Sequence, residues 1–121
     1  MLWVERSIDA TPAAAWELLT DTDRWPDWGP SITEAKLDGD RFLEGSTGWV
    51  RTAVGVRLPF RITDFEEGVR WSWSVVGIPA TSHRIRPDGS GCRVGFGVPV
   101  VAAPYLVVCR IALARIEDLL H

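Results

Sequence analysis

The last stretch of the chain, residues 99–121, constrains the fold most. No charged residue falls between Arg93 and Arg110. Beyond that point the polar residues gather on one side. At about 100° per residue, Arg110, Arg115, Glu117 and Asp118 share an arc. Tyr105, Cys109, Ala112, Leu113, Ile116, Leu119 and Leu120 fill the other side. A helix of this kind must lay its apolar face on something. Nearly everything from Ser31 to Val98 reads as strand. The expected architecture is therefore α+β, with one long C-terminal helix across a curved antiparallel sheet of about six to seven strands.

A length of 121 residues predicts one domain over residues 1–121. Hydrophobic residues make up 46% and charged residues 24%, which excludes a wholly disordered chain. The net charge of −3 and the scattered arginines argue against a nucleic-acid partner. Cys92 and Cys109 do not stand at metal-ligand spacing and read as small buried hydrophobes. No metal site or cofactor is expected. Glu5 and Arg6 interrupt any N-terminal signal. Pro99 and Pro104 break the apolar run 94–109, which is too short to span a bilayer. A cytoplasmic protein without membrane insertion is expected. Seven tryptophans point to a lined cavity or an exposed aromatic surface, because each indole brings an N–H that needs a partner.

Residues 2–9 read as a first strand. Thr11 is a good N-cap and Pro12 suits the first helical position, so residues 13–20 form a helix with Ala15, Trp16 and Leu19 buried. Asp21, Thr22 and Asp23 cap a second short helix over 23–28. Strands follow at 31–37, 48–54, 57–65, 69–76, 80–86 and 92–98, most of them joined by glycine-bearing turns. Alternation turns Phe60, Ile62, Trp71, Trp73, Val75, His83, Ile85, Cys92, Val94 and Phe96 inward and the arginines outward. Gly95 and Gly97, both on the outer face, suggest bending of that strand.

The opening SIDATPAAAWELLTD at 7–21, the WPDW element at 25–28, RITDFEE at 61–67 with WSW at 71–73, and HRIRPDGSGCRV at 83–94 occur in one order. Together they resemble the START-like (SRPBCC) superfamily, in particular its polyketide cyclase/dehydrase-like branch. The resemblance runs over essentially the whole chain. It implies a helix-grip fold (START/Bet v 1-like), with two short helices after the first strand and an internal cavity under the C-terminal helix. It implies binding of a hydrophobic small molecule that is polyketide-, aromatic- or lipid-like. A polyketide cyclase/aromatase-type enzyme in the same cavity is the alternative, and an interaction module without a ligand is the third class. The short loops of this chain point to a small cavity.

The candidate cavity residues follow from facing and chemistry. Trp71 and Trp73 form an aromatic wall, or else simple core. Phe60, Ile62, Ile85 and Phe96 share that face and suit core filling. Trp28 gates the mouth or anchors a weak helix, and Trp25 anchors. His83 is the candidate catalytic group, able to move a proton or orient a carbonyl, or else a hydrogen-bonded core histidine. Arg51 would hold a ligand acid if Trp49 and Arg51 face inward, and is a solvated sheet residue if Val50 and Thr52 do. Tyr105 reaches toward the cavity from the start of the helix or packs at the sheet rim. Cys109, on the same helix face, completes the lining. Val107, Ile111 and Ala114 lie on the charged arc, where the sheet curls over them or a second copy docks as a homodimer.

Overall fold

The computed structural model describes residues 1–120. Strand β1 (Leu2–Ile8) leads into helix α1 (Pro12–Thr20), a 3-10 turn (Thr22–Arg24) and the single-turn helix α2 (Trp25–Trp28). Six strands follow: β2 (Ile32–Leu37), β3 (Thr47–Thr52), β4 (Arg57–Glu66), β5 (Arg70–Val75), β6 (Ile78–Asp88) and β7 (Gly91–Val98). A 3-10 segment (Val100–Tyr105) then enters helix α3 (Leu106–Leu120). All seven strands form one antiparallel sheet in the order β1-β7-β6-β5-β4-β3-β2. The meander thus runs from β2 to β7, and β1 closes its far edge. This curved sheet gripping a long C-terminal helix is the α+β helix-grip fold.

The capping chemistry acts as its residue types dictate. Thr11 Oγ1 accepts the Ala14 N–H at 3.1 Å, and Pro12 opens α1. Asp21 caps the next turn through the Asp23 N–H at 3.0 Å. The prolines set the start of the C-terminal helix. Pro104 has no N–H to donate and Ala102 leaves helical geometry, so regular α-helix begins only at Leu106. From there Cys109, Ala112, Leu113 and Ile116 are buried, whereas Tyr105 and Leu119 stay partly in solvent. Val107 and Ile111 are also exposed, so the sheet does not curl over that arc.

The core lies between the inner face of the sheet and the three helices. Phe60, Ile62, Trp71, His83, Ile85, Cys92, Val94 and Phe96 are all buried, as alternation requires. The outer face has its own device at Gly95 and Gly97. A Cβ on Gly97 would fall 2.8 Å from the Trp3 indole, so this glycine makes a lane in which Trp3 lies flat. The Arg84 guanidinium covers that ring at 3.9 Å. Trp49 is covered likewise by Arg57 at 3.8 Å.

Candidate functional site

Helix α2 is too short to hold itself, and its tryptophans hold it. Trp25 is fully buried and donates its indole N–H to the Leu19 carbonyl at 2.9 Å. Trp28 donates to the Leu18 carbonyl at 3.2 Å. The Trp25 ring stacks on Trp71 with centroids 5.3 Å apart and planes 4° apart. Trp73 and Phe60 meet it at 5.2 and 5.3 Å. Indoles therefore occupy most of the space between the sheet and the short helices. What stays open there is a crevice of about 30 Å³, bordered by Trp28, Trp71, Trp73, Thr81, His83, Phe96, Tyr105 and Cys109 among others. That volume suits a water or two, at about 10–15 Å³ each.

A polar chain crosses this crevice. The Trp71 carbonyl can only accept, so the Nδ1 of His83, 3.3 Å away, carries the ring proton. Nε2 is then an acceptor and takes the Thr81 hydroxyl proton at 2.9 Å. The Thr81 oxygen in turn accepts the Trp73 indole N–H at 2.9 Å. The His83 ring is sandwiched against Trp71 at 3.9 Å and meets the edge of Phe96 at 4.7 Å. Burial in this apolar setting pushes its pKa down to about 3, against a small opposing effect of the Trp71 carbonyl. The imidazole is thus neutral near pH 7 and committed on both nitrogens. Cys109 beside it is a protonated thiol, its pKa raised to about 11 by burial. One donor is left over: the buried Trp71 Nε1–H has no acceptor among the described residues.

Beyond Tyr105 and Trp73 the crevice gives way to a larger cleft of about 430 Å³ that opens to solvent. Val50, Thr52 and Leu58 line one side, Val75, Pro79 and Ala80 the next, and Val98, Pro99 and Ala102 the third. Ser31, Tyr105, Trp73 and Thr81 border crevice and cleft alike. Tyr105 and Ser31 hydrogen-bond at 2.7 Å across the junction. Burial raises the Tyr105 pKa despite that bond, so the phenol is neutral. The Thr52 hydroxyl is buried at the cleft wall with no partner among the described residues.

The sequence-derived candidates therefore divide. Trp28, Trp71, Trp73, His83, Phe96, Tyr105 and Cys109 converge on the crevice. Phe60, Ile62 and Ile85 are core and reach neither space. Arg51 lies outside the cavity, because Val50 and Thr52 take the inward phase of β3. Its guanidinium instead meets Glu34 at 3.3 Å and the Gly55 carbonyl at 3.3 Å on the outer face. Thr81 was not singled out, although it shares the period-two face of His83 and Ile85. The cleft-lining Leu58, Pro79, Ala80 and Ala102 carried no chemical signal at all. Among the described residues no group of three or more His, Cys, Asp or Glu converges as a metal site would require. No helix there is long and apolar enough to cross a membrane.

A helix-grip domain with an apolar cleft opening beside the start of its last helix is a member of the START/Bet v 1-like class. The model of the family described as polyketide cyclase/dehydrase and lipid transport matches residues 2–119, and the chain belongs to that family. Comparison with curated proteins finds no match by sequence. Among solved structures, the protein XoxI from Bacillus cereus superposes with a TM-score of 0.75 at 17% identity, covering 98% of this chain and 94% of that one. Protein NE0264 from Nitrosomonas europaea does so with 0.72 at 18% identity, covering 98% and 92%. The Aha1 dimer from Colwellia psychrerythraea gives 0.70 at 18% identity, covering 99% and 96%. Identities this low speak for the shared fold.

Proposed function

We propose that this chain binds a hydrophobic small molecule in the cleft and does not transform it. The observation that carries this reading is the cleft itself. At about 430 Å³ it lies within the size range of small-molecule sites, and its walls are aliphatic. Its polar groups are few and confined to places where they can orient a ligand. They are the unpartnered Thr52 hydroxyl and the Ser31–Tyr105 pair at the junction. The apolar body of the ligand lies among Leu58, Val75 and Ala102, and an oxygen points toward the Thr52 hydroxyl or the Ser31–Tyr105 pair. A compact aromatic or alicyclic ketone or alcohol has this shape; a long acyl chain does not, because Trp25 and Trp71 fill the depth it would need. A cyclase-type reaction asks His83 for a proton acceptor, and a ring with a pKa of about 3 and both nitrogens engaged serves poorly in that role.

Native mass spectrometry of freshly purified protein is the direct test. Extra mass that leaves on denaturation identifies the occupant. In parallel, anilinonaphthalene sulfonate serves as a defined probe. Ala102→Trp, which plugs the cleft from its wall, is expected to weaken probe binding at least about tenfold. His83→Asn should change it little. A chain with no adduct, and probe binding indifferent to Ala102→Trp, would refute the cleft as a ligand site.

A further inference from the structure

The mouth of the cleft is built by three connections that meet at one end of the sheet. They are the β3–β4 turn (53–56), the β5–β6 turn with the first residues of β6 (76–80) and the segment that leads into α3 (99–105). None of them contains a charged residue. Their outward side chains are aliphatic: Val54, Val56, Val76, Ile78, Val100 and Val101. Val54 is 84% and Val101 95% exposed, about as far into water as a valine can stand. The other end of the molecule is the opposite in kind. There the connections carry Asp38, Asp40, Glu44 and Glu67 against Arg41, and Glu66 and Asp88 at the adjoining strand ends pair with Arg70 and Arg93. An exposed apolar ring of this extent on an otherwise charged domain calls for a partner.

We propose that this rim is a membrane-docking surface, seating the mouth of the cleft on the interface of an anionic lipid bilayer. Three features favour a bilayer over a second protein surface. The rim is a set of separate turn tips around an opening, which a rigid partner would leave unfilled and fluid acyl chains fill. The tips are valine and isoleucine, whereas protein hot spots are built on Trp, Tyr and Arg. The charge pattern is complementary to anionic headgroups. Acidic residues crowd the far end, while Arg57 stands at the rim without a carboxylate partner among the described residues. Its guanidinium rests on Trp49 at 3.8 Å. Arg57 lies two residues from the tip at Gly55, or roughly 7 Å along a strand. Interfacial segments sink about 5–10 Å, which puts the valines among acyl chains and the Arg57–Trp49 pair at the headgroups. This peripheral seat narrows the expectation of no membrane insertion to one of no spanning segment. It holds whether or not the cleft carries a ligand.

The test is vesicle flotation of the full chain. Vesicles of pure phosphatidylcholine are compared with vesicles of equal parts phosphatidylcholine and phosphatidylglycerol. The native chain is expected to float with the mixed vesicles, less so as salt rises. The double substitution Val54→Asp with Val101→Asp should lower the bound fraction about tenfold. Both side chains are exposed, so thermal unfolding stays unchanged. Arg57→Glu should lower binding to the mixed vesicles and flatten its salt dependence. A native chain that floats with neither vesicle overturns the proposal. Flotation indifferent to the double substitution also overturns it, because another surface then docks. So does a dimer in sedimentation velocity that the double substitution splits, since a second copy then covers the rim.

Discussion

At the scale of single residues the interior turns on the hydroxyl of Thr81, which serves Trp73 and His83 at once. Thr81→Val keeps the shape and removes both bonds. It leaves the imidazole nitrogen buried without a partner and the indole N–H half-buried at the cleft, so a loss of about 1–3 kcal/mol in urea unfolding is expected, chiefly from the imidazole. A loss under half a kcal/mol, roughly the size of an ordinary surface substitution, would show that water replaces the hydroxyl. His83 gives a second prediction, with a definite sign. Its pKa falls from 6.5 in the unfolded chain to about 3 in the fold. Between those values the unfolded chain binds a proton that the folded chain does not. Stability from this residue is therefore complete above about pH 6.5 and declines as pH falls toward 3, by up to about 1.4 kcal/mol per unit. Unfolding midpoints from pH 7 down to 5 should fall more steeply in the native chain than in His83→Phe. Equal slopes would mean that the imidazole titrates normally. The inward facing of His83 was legible from alternation alone. Its partner was not, because a threonine on a strand gives no sign of which hydrogen bonds it will close.

At the scale of elements, the meander was legible because each turn carries glycine and each strand alternates. The glycine that matters most inside a strand was not. A Cβ on Gly48 would fall 2.2 Å from the Lys36 carbonyl oxygen and 2.6 Å from the Phe60 ring. β2, β3 and β4 coil tightly here, and Phe60 crosses over the bare backbone of β3. Gly48→Ala is expected to cost about 1–3 kcal/mol as overpacking, read as a lower urea midpoint. An unchanged midpoint would show that the sheet relaxes at no cost. The start of the C-terminal helix, expected near Tyr105, falls at Leu106. The prolines that break the apolar run also set this start, because Pro104 withholds an N–H and shifts regular α-helix to Leu106. That shift has a functional result. An α-helix from Pro99 onward would rise about 1.5 Å per residue as a straight rod. The narrower, more extended 3-10 segment instead brings Ala102 and Tyr105 to the cleft and leaves Val100 and Val101 on the rim.

For the whole molecule the question is what seven tryptophans are for. A cavity lined with indoles and an interior packed with them look alike in sequence, since both place Trp71 and Trp73 inward. The structure divides the seven by task. Trp3 and Trp49 lie under arginines on the outer face. Trp16 reaches across to Glu67 at 3.1 Å and ties α1 to the β4–β5 turn. Trp25, Trp28, Trp71 and Trp73 make the interior. A chain of this size buries only about two thirds of its unfolded surface, so bulky side chains in the grip stabilise it where an open cavity would not. The space left for a ligand is accordingly pushed to the mouth. Trp25→Leu tests this division directly. It removes the ring that stacks on Trp71 and touches Phe60 and Trp73. A loss of about 3 kcal/mol is expected, near the lower end for large aromatic truncations. The new void would expose the Leu19 carbonyl, which loses its indole donor, so it should take up a water, seen as shifts of the surrounding ring signals in NMR. Binding of the probe at the mouth should persist, because Leu58, Val75 and Ala102 do not depend on Trp25. If Trp25→Leu instead cost nothing and left those signals in place, the indoles would be loosely held and the grip would close on itself. The mouth would then owe its open cleft to something other than a packed interior.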